Sequence, residues 1–169
     1  MKGALALVGF MGAGKSTVGR LVAGRLGVPF VDTDARVVAG HGSIERIFKE
    51  RGQECFREME RAIVCDELMV PDDPARVVAL GGGAVMSDDV REALSRLAHV
   101  VWLDAPIEVL FGRARSGLRP LAGDLESFTA LYLERRPLYE AVATAVVAYG
   151  RDDDPQVVCA AVLAAVEPC

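Results

Sequence analysis

The chain has 169 residues, of which 51% are hydrophobic and 25% charged, with a formal net charge of -5. That length supports one domain with a sizeable core, and the acidic balance argues against nonspecific nucleic-acid binding as the main activity. No run approaches the length of a membrane-spanning helix, and the apolar run after Lys2 is too short for an export signal.

The first predicted strand is Ala4-Leu5-Ala6-Leu7-Val8, and it runs into Gly9-Phe10-Met11-Gly12-Ala13-Gly14-Lys15-Ser16-Thr17. This segment fits G-x-x-x-x-G-K-[ST], and a helix-compatible run from Ser16 to Leu26 follows it. Strand, glycine loop and helix together make a phosphate cradle: backbone N–H groups wrap the anion and the helix N-terminus adds positive potential. Lys15 would reach the β- and γ-phosphates, and the Ser16 hydroxyl would hold Mg²⁺.

Val28 to Asp32 reads as a second strand that ends in the acidic pair Asp32-Thr33-Asp34. One carboxylate there could serve the metal, and the other, on the same side if the backbone stays extended, a substrate hydroxyl. Alternatively, Asp32 caps a following helix. Ser43 opens a helical stretch, Ile44 to Lys49, that stops near Gly52, and Glu54 to Met69 forms a second one. Within the latter, Arg57 and Glu60 lie three residues apart and can touch on one face. They form either a preorganised fork for an anion or a solvated surface pair.

Arg76 to Leu80 is the third strand and leads into Gly81-Gly82-Gly83, where a ligand can approach bare backbone closely. Ser87 is placed to cap a helix through Leu97, and His99 to Leu103 is a buried-type fourth strand. A helix to about Arg115 follows, carrying Arg113 and Arg115, either of which could stack on an adenine. Arg119-Pro120-Leu121 lies in a loop from Ser116 to Asp124 that could close over developing phosphoryl charge. Glu126 to Val142 is helical but interrupted by Pro137, next to Arg135-Arg136; one of those arginines could take a carboxylate. Thr144 to Ala148 is a last strand and Gln156 to Val166 a last helix. Five short strands separated by helices predict an α/β domain with a parallel sheet. Cys55, Cys65, Cys159 and Cys169 show no C-x-x-C spacing and read as reduced thiols of a cytoplasmic protein.

Six motifs in chain order resemble those of the shikimate kinases: Gly12-Ala13-Gly14-Lys15-Ser16-Thr17, Asp32-Thr33-Asp34, Phe56-Arg57-Glu58-Met59-Glu60, Gly81-Gly82-Gly83, Arg119-Pro120-Leu121 and Arg135-Arg136-Pro137-Leu138-Tyr139. The resemblance implies a single domain over 1–169 with the P-loop kinase fold, sheet order 2-3-1-4-5, a substrate-binding region at about 33–61 and a lid at about 112–124. It implies Mg²⁺-dependent transfer of the ATP γ-phosphoryl group to the 3-hydroxyl of shikimate, in the route to chorismate and the aromatic amino acids. Lys15, Asp34 and Arg119 are the implied catalytic residues. Gly12, Ala13, Gly14, Lys15, Ser16, Thr17, Arg113, Arg119, Arg151 and Pro155 are implied for ATP. Asp34, Arg57, Gly81, Gly82, Gly83 and Arg135 are implied for shikimate, with Glu60, Phe48 and Phe56 as supports. Ser16 and Asp32 are implied for the metal.

Arg113 is preferred over Arg115 for the adenine, and the acidic run Asp152-Asp153-Asp154 departs from the family pattern. The expected state is a monomer without nucleic-acid or membrane partners. A gluconate-kinase-like enzyme is the nearest rival, and a non-catalytic nucleotide-binding module a more distant one.

Overall fold

Strands of an all-parallel sheet are covered on both faces, so they read as continuous apolar runs rather than alternating ones. Of the five strands here, the central ones follow that rule, and the edge strands are covered less completely. In the computed structural model, which describes residues 3–69, 75–116 and 123–166, they are β1 (Ala4–Val8), β2 (Phe30–Asp32), β3 (Arg76–Ala79), β4 (His99–Asp104) and β5 (Ala145–Ala148). They form one parallel sheet in the order β2-β3-β1-β4-β5. Central residues such as Leu5, Leu7, Val78, Val100 and Val101 are fully buried.

Seven α-helices lie among the described residues: α1 (Lys15–Leu26), α2 (Thr33–His41), α3 (Ile44–Leu68), α4 (Asp88–Ser95), α5 (Ile107–Ser116), α6 (Leu125–Val142) and α7 (Pro155–Val166). Right-handed crossovers put α1 on one face of the sheet, where α7 packs on it; α3, α4 and α6 cover the other. A second, smaller core of Val37, Ile47 and Phe56 joins α2 to α3. All five strands deliver their carboxyl ends to one edge, where ligands of such sheets sit.

Three local expectations are corrected. The backbone does not stay extended through Asp32-Thr33-Asp34. Asp32 Oδ1 accepts the Ala35 N–H at 3.0 Å, an N-cap that turns the chain into α2 at Thr33, so Asp34 lies in its first turn. The expected break at Gly52 is present: φ is 84° there, and two helical stretches meet at that residue within α3. Ser87 stands at the N-cap of α4, but its side chain caps nothing; its carbonyl accepts the Arg91 N–H instead. Pro137 does not interrupt α6, which runs 18 residues through it. Proline removes the bond to the carbonyl four residues back and crowds it, and Leu133, the residue that bears that carbonyl, lies on the exposed side of the helix. Residues 117–122, which include Arg119, Pro120 and Leu121 and the middle of the expected lid, lie outside the described residues, as does Cys169.

Candidate active site

The glycine loop leaves β1 at Gly9 and enters α1 at Lys15. Gly12 has φ 83° and a Cβ there would strike the Leu110 carbonyl, so any side chain is both strained and blocked. The Lys15 ammonium donates to the carbonyls of Gly9 (2.7 Å) and Phe10 (3.0 Å), which holds it over its own loop. Behind it the Ser16 hydroxyl and Asp32 Oδ2 are 2.5 Å apart. Asp32 therefore satisfies both readings of the acidic pair, with one oxygen capping α2 and the other facing Ser16.

The glycine triplet is the hub of the site. A Cβ on Gly81 would strike the carboxylates of Glu60 and Asp34; one on Gly82 would lie 3.1 Å from the Met11 nitrogen of the phosphate loop; one on Gly83 would strike the Arg57 guanidinium. Three bare residues thus bring together α2, α3 and the loop after β1. The Gly82 carbonyl accepts from Tyr139 Oη (2.5 Å) and Arg135 Nη1 (3.3 Å), which ties α6 to the same point. Thr33, fully buried, stitches the triplet to the end of β2: its hydroxyl accepts from the Gly81 N–H and faces the Ala79 carbonyl.

Around this hub the charges are withdrawn from water. Glu60 is 2% exposed and takes Arg57 Nη1 on one oxygen at 2.5 Å, while Oε1 has no partner. Burial pushes its pKa above the usual carboxylate range, with Arg57 pulling it down and Asp34 pushing it further up. The pair is therefore not a solvated surface contact.

Arg135 is 4% exposed, its Nε has no partner, and no carboxylate pairs with it among the described residues. Burial pushes its pKa down, yet an arginine stays charged at any ordinary pH. Its guanidinium carbon sits 5.6 Å from the Phe10 ring centroid, against the phosphate loop. The adjacent Arg136 pairs with Glu140 at the exposed surface, which separates the two arginines of that motif. Phe56 is buried, stacks obliquely with Phe48 at 5.1 Å and carries the Arg57 guanidinium at 5.2 Å.

On the opposite side of the loop, the Arg113 guanidinium lies 5.5 Å from the Tyr149 ring centroid, whereas Arg115 lies 5.6 Å from Phe111 of its own helix. Arg151 and Pro155 are exposed beyond β5. The acidic run between them fastens the turn: Asp153 accepts the Gly150 N–H and Asp154 the Gln156 N–H, both at 2.7 Å.

A phosphate cradle thus adjoins a cleft holding the buried Arg135 and the half-buried Arg57. The model of the shikimate kinase family matches residues 11–167. The chain belongs to that family. It is 47% identical to a shikimate kinase of Symbiobacterium thermophilum, an alignment covering 82% of each chain. Its structure superposes on shikimate kinase from Acinetobacter baumannii in complex with shikimate, with a TM-score of 0.83 at 31% identity, covering 96% of this chain and 89% of that one. A gluconokinase from Sinorhizobium meliloti shares the fold at 19% identity, with a TM-score of 0.58 over 96% of this chain and 90% of that one.

Of the site residues expected for a shikimate kinase, Asp34, Arg57, Glu60, Gly81, Gly82, Gly83 and Arg135 converge on one cleft beside Lys15. Sequence reasoning gave no part to Phe10, Thr33, Tyr139 or Tyr149. Thr33 stands between the two acids and Phe10 inside the glycine loop, so both lay within motifs whose other members drew attention.

Proposed function

We propose that this cleft transfers the γ-phosphoryl group of ATP to the 3-hydroxyl of shikimate, giving shikimate 3-phosphate and ADP. The observation that carries the reading is Arg135: a buried cation with no ion-pair partner among the described residues, set against the phosphate loop. A small organic carboxylate supplies the missing charge there. Arg57, held in place by Glu60, presents a second guanidinium to the same anion, and two such forks fix its orientation as well as its charge.

Asp34, beside Gly81, takes the substrate hydroxyls and the proton of the attacking one. Gly81, Gly82 and Gly83 let substrate and γ-phosphate approach the backbone, and Phe48 and Phe56 wall the acid side. Lys15 exchanges the loop carbonyls for the β- and γ-phosphates, and with Arg119 offsets charge on the transferred group. Gly12, Ala13, Gly14, Ser16 and Thr17 line the phosphates. Arg113 lies on the adenine, with Arg151 and Pro155 at its edge.

The Ser16 hydroxyl and Asp32 carboxylate suit Mg²⁺, which takes few protein oxygens and completes its shell with phosphate and water. Bound there, the ion would neutralise phosphate charge. We assign 33–61 to substrate binding and 112–124 to a closing lid within one monomeric domain. A cytoplasmic setting suits the free thiols of Cys55, Cys65 and Cys159, and no described helix is long and apolar enough to cross a membrane.

The gluconate-kinase-like reading is not favoured, because proteins of that name share only the fold. A coupled assay for ADP tests the proposal. ADP should form only when shikimate is added, and gluconate should not replace it. Turnover with gluconate, or ADP release indifferent to shikimate, overturns it.

A further inference from the structure

We propose that Tyr149 is the positioning residue of the nucleotide half, setting the phosphate loop and Arg113 at once. The inference rests on the reading of that half as the ATP site.

Tyr149 follows directly after β5 and is 9% exposed. Its hydroxyl donates to the Ala13 carbonyl at 2.5 Å, across 136 residues of chain. A trans peptide is planar, and its C=O and N–H point in opposite directions. Fixing the Ala13 carbonyl on the Tyr149 side therefore fixes the Gly14 N–H on the other side of the same plane. Gly14 is the residue before Lys15, with φ 74°, a conformation in which glycine has little steric preference of its own. The tyrosine supplies the constraint that the glycine lacks. A carbonyl that accepts a hydrogen bond also makes its own peptide N–H a better donor, which favours an anion on that side.

The same side chain has a second contact. Arg113 lies 5.5 Å from the ring centroid. Burial raises the Tyr149 pKa against the pull of Arg113, so the hydroxyl keeps the proton it donates to Ala13 at neutral pH. One aromatic residue thus joins the end of α5 to the turn before α1. The cation assigned to the base and the peptide assigned to the phosphates share one anchor.

Two variants separate the two contacts. Tyr149→Phe keeps the ring under Arg113 and removes the hydroxyl; Tyr149→Leu removes both. By isothermal titration in the absence of shikimate, Tyr149→Phe should weaken ADP and inorganic tripolyphosphate by the same factor, about fivefold. Tyr149→Leu should weaken ADP further than Tyr149→Phe does, with no further loss for tripolyphosphate. In both variants the KM for shikimate should stay at the parental value. Parental ADP binding by Tyr149→Phe overturns the proposal, as does an equal loss of shikimate affinity, which would mark a general structural role. Should Tyr149→Leu fail to fold, the Tyr149→Phe titrations alone decide. The ligands titrated exclude shikimate, so a parent protein that binds ADP but does not phosphorylate shikimate would sink the proposed function and leave this inference standing.

Discussion

The two halves of the site are built on different principles. The acid-binding half uses side-chain charge already removed from water: Glu60 and Arg135 are 2% and 4% exposed, and each has a polar atom without a partner. The phosphate-binding half uses main-chain direction. Its one ammonium is satisfied by its own loop, and its peptide planes are held by Tyr149 and by Phe10, which packs edge-on against Phe128 at 4.9 Å. The first half carries a desolvation cost that only ligand relieves; the second carries none. Mutations should therefore move stability and function together or apart according to the half they strike.

The largest effect belongs to the phosphate half. Lys15→Met should lower kcat about a thousandfold, the scale of removing a main electrostatic stabiliser of a transition state. Its Tm should stay near the parental value, because the bonds from the lysine to the Gly9 and Phe10 carbonyls are ones that water can replace. A large loss of Tm would show that the ammonium holds the loop together, and the contrast between the halves would fail.

Next come the two arginines, which should respond with opposite signs in stability. Arg57→Ala and Arg135→Met should each raise the KM for shikimate about a hundredfold, the cost of losing one charged partner of a buried anion. Arg57→Ala leaves Glu60 buried without its cation and should destabilise the fold by about 3 kcal/mol. Arg135→Met replaces an unpaired buried cation with an apolar chain of similar reach and should raise stability by about 1 kcal/mol. Thermal unfolding without ligands checks both. A drop in Tm for Arg135→Met would mean that the bond to the Gly82 carbonyl outweighs the buried charge.

The phosphate half was the more legible in sequence. A glycine loop between strand and helix states its geometry in consecutive residues, and the family motifs stated the sheet order. The acid half draws on α2, α3, α6 and the triplet, so Arg57–Glu60 could not be told from a surface pair until burial was known. The turn into α2 was hidden because Asp32 has two oxygens and both readings of it hold. Tyr149 lay outside every motif and Tyr139 inside one read for its arginines, since a hydrogen bond to a carbonyl 136 or 57 residues away leaves no local pattern. Pro137 misled because propensity prices a lost bond as if it were buried, and here it faces solvent.

The smallest expected effect is the most discriminating, because it asks whether Glu60 acts by charge or by shape. Burial outweighs Arg57 and holds the Glu60 pKa above its ordinary value. The folded state therefore binds the Glu60 proton more tightly than the unfolded chain does. Its contribution favours the fold at acid pH and is lost as the pH rises through the folded pKa. Glu60→Gln removes that slope while keeping an acceptor for Arg57, so its Tm should match the parent in acid and equal or exceed it at neutral pH. Shikimate binding should run the other way. Ionised Glu60 grips Arg57 better than a neutral amide, so the variant's KM at neutral pH should be about tenfold higher. On acidification the parental KM should climb toward the variant's, starting above the ordinary carboxylate range, while the variant stays flat over the same window. Parallel KM profiles for the two proteins would mean that Glu60 serves only as a shaped acceptor, and the buried charge of the acid half would then reduce to Arg135.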